Sequence, residues 1–361
     1  MKNNPFTTAI VRWYNRHKRP LPWRNTTDPY FIWLSEIILQ QTRVVQGLPY
    51  YKSFTDNFPG ISDLAKAKEE TVLRLWQGLG YYTRARNLHK CAKVIVEDYN
   101  GKFPSTMKEL LKLPGVGKYT AAAIASLAYD EVVPVIDGNV YRLLSRYFAD
   151  ETDISSSKAY NHFYHLATQL IDENDPGTFN QAMMEFGAVH CVPQNPDCDT
   201  CVLQEKCMAH AHNLQNKLPV KTKRVKTKKR YLFYLIVKEG NKILMRERKE
   251  KDIWRGLYEF VLVESTSADE FDQLEHPILE NLKDVKINLD IIDKNVRHVL
   301  THQHLNVKFA IINVKEGQEI SEKLSIGGYR WYSLEEVEKL PKPILISNFL
   351  DTYLNSINLQ K

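Results

Sequence analysis

The chain has 361 residues, 43% apolar and 25% charged, ordinary proportions for a soluble globular protein and enough length for two or three domains with cores of their own. No run approaches the roughly 20 apolar residues of a membrane span, and the N-terminal MKNNPFTTAIVRWYN has no apolar signal core, so a cytoplasmic protein is expected. The net charge of +6 is concentrated: Lys217 to Arg230, KLPVKTKRVKTKKR, carries eight basic residues and no acidic one, leaving −2 (six less eight) for the remainder.

Residues 1–216 read as almost entirely helical, beginning with an amphipathic helix at the N-terminus. Asp28-Pro29 offers a cap and a first-turn proline to a helix that continues as YFIWLSEIILQQTRV, apolar at Ile32, Trp33, Ile37 and Ile38. Helical patterns recur over Leu64–Trp76, Arg84–Tyr99, Lys158–Asp172 and Phe179–His190 without strand alternation, which predicts an all-α domain. Within the QQTR-ended helix, Glu36 stands among Leu34, Ile37, Ile38 and Leu39. It either faces water or, if buried, has a raised pKa and serves as a proton donor near neutral pH.

The stretch Leu111 to Arg146 organises this half of the chain. Leu113–Thr120 is a tight turn between two helical patterns, in which Pro114 fixes one dihedral and Gly115 and Gly117 free the backbone for positive φ or close approach by a partner. A glycine turn with outward amides is a clamp for a phosphate backbone. A small-residue helix through Ala121–Ala125 and Leu127 follows. Beyond it Asp137, beside Gly138 and Asn139, places one carboxylate where it can act on whatever the clamp holds.

Four of the five cysteines, Cys191, Cys198, Cys201 and Cys207, lie in one run with gaps of six, two and five residues. In a reducing compartment such clustering implies a metal and not disulfides; four thiolates suit zinc or a four-iron four-sulfur cluster. Cys91, alone in an apolar helix, is expected in the core. The basic run 217–230 reads as an extended linker, either a solvated tether or a strand laid along phosphates. The pattern then changes. YLFYLIVK and KILMRER about an EGNK turn predict a β-hairpin. GLYEFVLVE, a helical stretch from Asp269 to Leu282, strand-like runs at Val296–Leu300 and Leu305–Val314, GGYRWYS and a terminal helix around Ile344–Leu354 complete an α+β domain.

LPGVGKYTA followed by VIDGNVYRLLSR resembles the helix-hairpin-helix and catalytic aspartate of the endonuclease III superfamily of DNA glycosylases. With LSEIILQQTRV, the six-two-five cysteine spacing and the second domain, the chain is similar over nearly its whole length to the adenine DNA glycosylases of the MutY type. That resemblance implies a multidomain protein: an all-α helix-hairpin-helix glycosylase domain over 1–216 with an iron–sulfur cluster loop at 191–207, a basic linker over 217–230, and an α+β Nudix-like 8-oxoguanine recognition domain over 231–361. It implies one 4Fe-4S cluster on Cys191, Cys198, Cys201 and Cys207, stapling a loop that faces DNA. The implied partner is double-stranded DNA containing adenine opposite 8-oxoguanine or guanine, and the implied setting a monomer in the bacterial cytoplasm, associated with the nucleoid.

Residue by residue, the resemblance makes Glu36 the acid that protonates the adenine ring. Asp137, kept ionised, stabilises the oxocarbenium-like sugar, with a transient covalent adduct as one route; this is the two-carboxylate logic of glycoside cleavage. Tyr119 occupies the position where strand-cutting relatives carry a Schiff-base lysine, which implies a monofunctional, water-using enzyme; Lys118, one residue away, points about 100° elsewhere on the helix. Asn139 matches the position that orients water or carboxylate. Trp23, Arg24 and Gln181 match the pocket for an adenine flipped out of the duplex. Gln41 and Thr42 match the wedge at the lesion pair, and Tyr81 stacks between bases. In the second domain, VLVESTSADEFDQLE lacks the glutamate-rich arrangement of a working Nudix hydrolase, so recognition is expected. The reading loop, usually Phe-Ser-His in the family, is here Leu300, Thr301 and His302. The alternatives are a thymine or oxidised-pyrimidine glycosylase of the same superfamily and a non-catalytic DNA-binding module. Tyr119 and the second domain argue against the lyase, and the two carboxylates against the module.

Overall fold

A computed structural model describes residues 4–223, 227–265, 274–283, 287–314 and 321–358. The chain packs as two compact units, Met1–Lys66 with Asn87–Lys223 and Ala67–Arg86 with Arg224–Lys361. Among the described residues no helix is long and apolar enough to cross a membrane.

The described helices of the N-terminal part are α1 (Pro5–His17), α2 (Pro29–Leu39), α3 (Val44–Asn57), α4 (Ile61–Lys66), α5 (Glu69–Leu75), α6 (Thr83–Asp98), α7 (Met107–Leu110), α8 (Lys118–Tyr129), α9 (Gly138–Phe148), α10 (Ala159–Thr168), α11 (Pro176–Val189) and α12 (Met208–Ala211). Asp28 caps α2 through the Tyr30 amide, the role its place before Pro29 predicts. Leu64–Trp76 is not one helix. It breaks between Lys66 and Glu69, where Lys68 is extended and Glu69 and Glu70 supply the acidic first turn a new helix favours. The core of the first unit gathers α1, α9, α10 and α11 around Phe6, Ile10, Leu144, Phe163, Phe179 and Phe186, each at most 2% exposed. Cys91 is fully buried.

The second unit is built on a mixed sheet of β1 (Lys228–Glu239), β2 (Lys242–Glu247), β3 (Tyr258–Glu259), β4 (Val261–Ser265), β5 (Ile287–Val299), β6 (Gln303–Val314) and β7 (Arg330–Ser333). The order is β3-β2-β1-β6-β5, with β4 also on β1 and β7 on β2. The predicted hairpin is β1–β2, closed by Gly240-Asn241 with Gly240 at φ +54°. β1 runs parallel to β6, and its residues 232–237 are all buried, as a strand covered on both faces requires. Helices α13 (Pro277–Leu282), α14 (Ser321–Leu324), α15 (Leu334–Lys339) and α16 (Ile344–Asn358) complete the unit. Of the predicted helix from Asp269, residues 269–273 lie outside the described residues and α13 begins at Pro277. Residues 67–86 belong here because Gln77 donates to Ser347 Oγ (2.8 Å) and accepts from the Lys342 amide (3.1 Å).

The basic run 217–230 is anchored on either side of residues 224–226. The Ile154 amide donates to Val220 O (3.0 Å), Asp153 accepts from the Thr222 hydroxyl and amide, and the Lys223 amide donates to Ser155 Oγ (3.3 Å). Its first residues are thus held by the first unit, while Lys228–Arg230 already lie in β1; 224–226 fall outside the described residues.

Candidate active site

The apolar helix α2 carries Glu36 inward, leaving it 8% exposed. In the first turn of α8, Tyr119 donates its hydroxyl to Glu36 Oε2 at 2.5 Å and lies 3.5 Å from Met184 Sδ of α11. Asp137 is the N-cap of α9: one carboxylate oxygen accepts from the Asn139 and Val140 amides (2.9 and 2.7 Å), and the other from Asn139 Nδ2 (2.7 Å). One carboxylate thus meets a single hydroxyl, whereas the other meets a helix N-terminus and an amide.

Electrostatics follow from that difference. Burial raises the Glu36 pKa to about 7; the Tyr119 hydrogen bond and Arg24 oppose this, and the nearby Asp137 charge adds to it. Burial also raises Asp137, but the Val140 and Asn139 amides, the Asn139 side chain and Arg142 all pull it back toward the ionised form. Tyr119 is held well above its ordinary range by burial and by both carboxylates, so it remains a proton donor. Burial thus raises both carboxyls, Asp137 against the pull of a helix N-terminus, an amide and a guanidinium, and Glu36 against little more than one hydroxyl and Arg24; a buried acid beside such a capped carboxylate is the equipment of acid-assisted bond cleavage.

Below Asn139, Arg142 ties the site to the cysteine run: Nη2 donates to Asn139 Oδ1 (2.8 Å) and Gly187 O (2.6 Å), and Nε to Cys191 O (2.8 Å). Beside Glu36 lies a polar cluster that sequence reading found in part. Arg24 donates to Gln181 Oε1 (3.1 Å) and, in a fork, to both oxygens of Glu185 (3.0 and 2.6 Å). Arg19 forks onto the same carboxylate (2.7 and 2.6 Å). Burial pushes Glu185 up, but the two guanidinium groups outweigh it and bring its pKa down to about 2. Glu185 and Arg19 were not singled out from sequence. The available signal was that Glu185 lies four residues after Gln181 on one helix face. Trp23 is 6% exposed and packs edge-on against Tyr51.

The glycine turn divides its labour. Gly115 has φ +76°, and a Cβ there would stand 2.7 Å from Asn87 Cβ; Gly117 faces open space and is the N-cap of α8 without a side-chain cap. Gly115→Ala is therefore expected to destabilise the protein by about 1–3 kcal/mol. Gly117→Ala should leave stability nearly unchanged while weakening duplex binding. Thermal melting and a binding titration of the two variants distinguish the roles; equal melting temperatures would contradict this division. Lys118 points elsewhere, its Nζ 4.2 Å from the Tyr160 ring centre.

Gln41 is exposed with φ +57°, and Thr42 is half-buried beside it. Tyr81, 44% exposed with φ +50°, belongs to the second unit. There its hydroxyl meets that of Thr301, in the turn where Leu300 and Gln303 exchange backbone hydrogen bonds. His302 is exposed and Leu300 half-buried.

Cys191, Cys198, Cys201 and Cys207 are free thiols, half-buried. Cys198, Cys201 and Cys207 are raised by burial and by one another's or Cys191's charge, so the four lie within electrostatic reach. Sulfur receives hydrogen bonds from Arg146 Nη1 (3.3 Å to Cys191) and the Leu203 amide (3.4 Å to Cys201). Among the described residues no three metal-binding side chains meet as a single-ion site.

Residues 34–168 match the model of the HhH-GPD superfamily base excision DNA repair protein, and residues 232–352 that of the NUDIX domain. The helical fold and the first of these matches define a base-excision DNA repair glycosylase. A thermostable thymine-DNA glycosylase structure superposes with a TM-score of 0.54 at 31% identity, covering 57% of this chain and 95% of that one. The adenine DNA glycosylase of Buchnera aphidicola subsp. Schizaphis graminum is 35% identical over 347 residues, 94% of this chain and 96% of that one. The human adenine DNA glycosylase is 42% identical over 222 residues, 59% of this chain and 41% of that one. The chain belongs to the adenine DNA glycosylase family, enzymes of base excision repair that hydrolyse N-glycosyl bonds.

Proposed function

We propose that this enzyme is monofunctional and releases adenine mispaired with 8-oxoguanine or guanine in double-stranded DNA. The observation that carries the chemistry is the buried Glu36, pKa about 7, bonded to the Tyr119 hydroxyl. Glu36 donates its proton to the adenine ring, so the electron pair of the breaking N-glycosyl bond leaves on a neutral base. The ionised Asp137, held by the α9 N-terminus and Asn139, stabilises the positive charge developing on the sugar. Water then adds to the sugar carbon, and its proton passes to the Glu36 carboxylate left by the first transfer, which restores the acid. Arg24 and Gln181 supply polar contacts for the flipped adenine, with Glu185 and Arg19 fixing Arg24 and Trp23 forming an apolar wall. Gln41 and Thr42 fill the duplex at the lesion pair, Tyr81 stacks, and the Gly115–Gly117 turn holds phosphate. Leu300, Thr301 and His302 read the opposite base.

Four thiols with no disulfide, spaced six-two-five, fit one 4Fe-4S cluster, which would hold the 191–207 loop against DNA.

Single-turnover reaction on a duplex with adenine opposite 8-oxoguanine, with and without hot alkali, tests the reading. Breakage of the adenine strand only after alkali is the expected result. Breakage without alkali would show that Tyr119 does not mark a monofunctional enzyme.

A further inference from the structure

The turn Leu300–Gln303 is exposed at Thr301 and His302, yet it is fixed from behind. The Lys228 amide donates to His302 O at 2.9 Å. Two residue pairs along the parallel β1–β6 ladder, Arg230 sends its side chain, 6% exposed, toward the same turn. All five guanidinium N–H donors are used: Nε and Nη2 on Glu264 (2.6 and 2.6 Å), Nη1 and Nη2 on Asp252 (2.9 and 2.6 Å), and Nη1 on Gln303 Oε1 (2.9 Å). Asp252 is held in turn by Arg248 (2.6 Å), which pairs with the buried Glu259 (2.9 Å). A planar fork saturated by two carboxylates has no freedom to rotate. The Gln303 carbonyl is the one neutral acceptor on it, and Gln303 is the residue that closes the turn. Asp252, Thr301 and Gln303 also line a cavity of about 510 Å³ together with Tyr81, Trp254 and His298.

We propose that Arg230, acting through Gln303, is a positioning residue that sets where Thr301 presents its hydroxyl, and so sets how strongly the enzyme prefers 8-oxoguanine over guanine opposite adenine. The inference rests on the reading of the Leu300–His302 turn given above. Its chemistry is that of a rigid ionic anchor: the buried fork absorbs the turn's freedom from behind before DNA arrives, and Thr301, whose hydroxyl meets that of Tyr81, is held at the exposed side of the turn to discriminate.

Arg230 itself is a poor variant, because its loss would strand two carboxylates. Gln303→Leu cuts the link and leaves the ion pairs intact; Gln303→Glu restores an acceptor. In the full-length protein, single-turnover excision on adenine opposite 8-oxoguanine and opposite guanine gives a discrimination ratio for each. Loss of a hydrogen bond to a charged group predicts that Gln303→Leu lowers that ratio about tenfold. Gln303→Glu should keep the ratio even if both rates fall, melting should drop by no more than the few degrees one buried hydrogen bond accounts for, and amide exchange over 300–303 should rise only in the Leu variant. A ratio unchanged in Gln303→Leu overturns the proposal, as does an equal fall on both duplexes with a melting temperature lowered beyond that. A wild-type ratio near one instead removes the reading of the turn itself, and the inference with it.

Discussion

Glu36→Gln should abolish adenine excision, with a loss of about a thousandfold or more, while making the folded protein more stable above pH 7. Both effects come from one burial. Amide has no proton to give the leaving base, yet it still accepts from Tyr119, so the pocket keeps its shape. On the stability side, the folded-state pKa of about 7 lies above the ordinary 4.5. The folded form therefore holds its proton more tightly than the unfolded chain. The stability associated with that proton is fully present below about pH 4.5 and is lost as pH rises through 7. At pH 8 the ionised carboxylate costs about 3 kcal/mol, which Gln removes. Melting temperatures of wild type and variant should coincide near pH 4.5, draw apart as pH rises toward 7, and stay apart above it, with Gln higher. The same titration shapes activity: wild-type single-turnover rates should fall as pH rises through about 7. A variant that excises adenine at near the wild-type rate would take Glu36 out of the mechanism.

Which parts were legible in the sequence follows from the range of the interactions involved. Local signals sufficed for the Asp28 cap, the glycine turn, the Gly240-Asn241 hairpin turn and the change from helical to strand periodicity near residue 230. They also placed Asp137 just before a helix, although not the three hydrogen bonds that make it a cap. Glu36 was ambiguous by periodicity because α2 is buried on nearly every face, so no wet side existed on which to place it. What sequence reading could not reach were contacts between distant residues. Arg19 and Arg24 meet Glu185 across more than 160 positions, and Arg230 meets Gln303 across 73. The grouping of 67–86 with the sheet unit escapes a reading that takes helices together. In each case the residues have ordinary polar surface patterns, and only packing shows that they are partners.

Replacing Cys201 by Ser should remove iron and disorder the 191–207 loop, where the wild-type protein is expected to be brown and to hold about four irons per chain. The loop has little core of its own: Leu203 is buried, whereas Gln204–Lys206 and Met208–Ala211 provide only single turns of helix. Its other support is Arg146, 2% exposed, which donates to Val192 O (2.7 Å), Pro193 O (2.9 Å) and Leu218 O (3.2 Å). One guanidinium cannot order seventeen residues against their chain entropy, each fixed residue costing about 1–2 kcal/mol. Four ligand bonds closing the loop can. Iron content, visible absorption and limited proteolysis of the loop measure this without reference to activity. Colourless wild-type protein that contains zinc and is fully active would overturn the assignment, as would a Cys201→Ser loop that resists protease as the wild type does. Because Arg142 joins Cys191 O to Asn139, loosening the loop should also slow excision at saturating enzyme. The pH midpoint set by the burial of Glu36 on α2 should stay where it is.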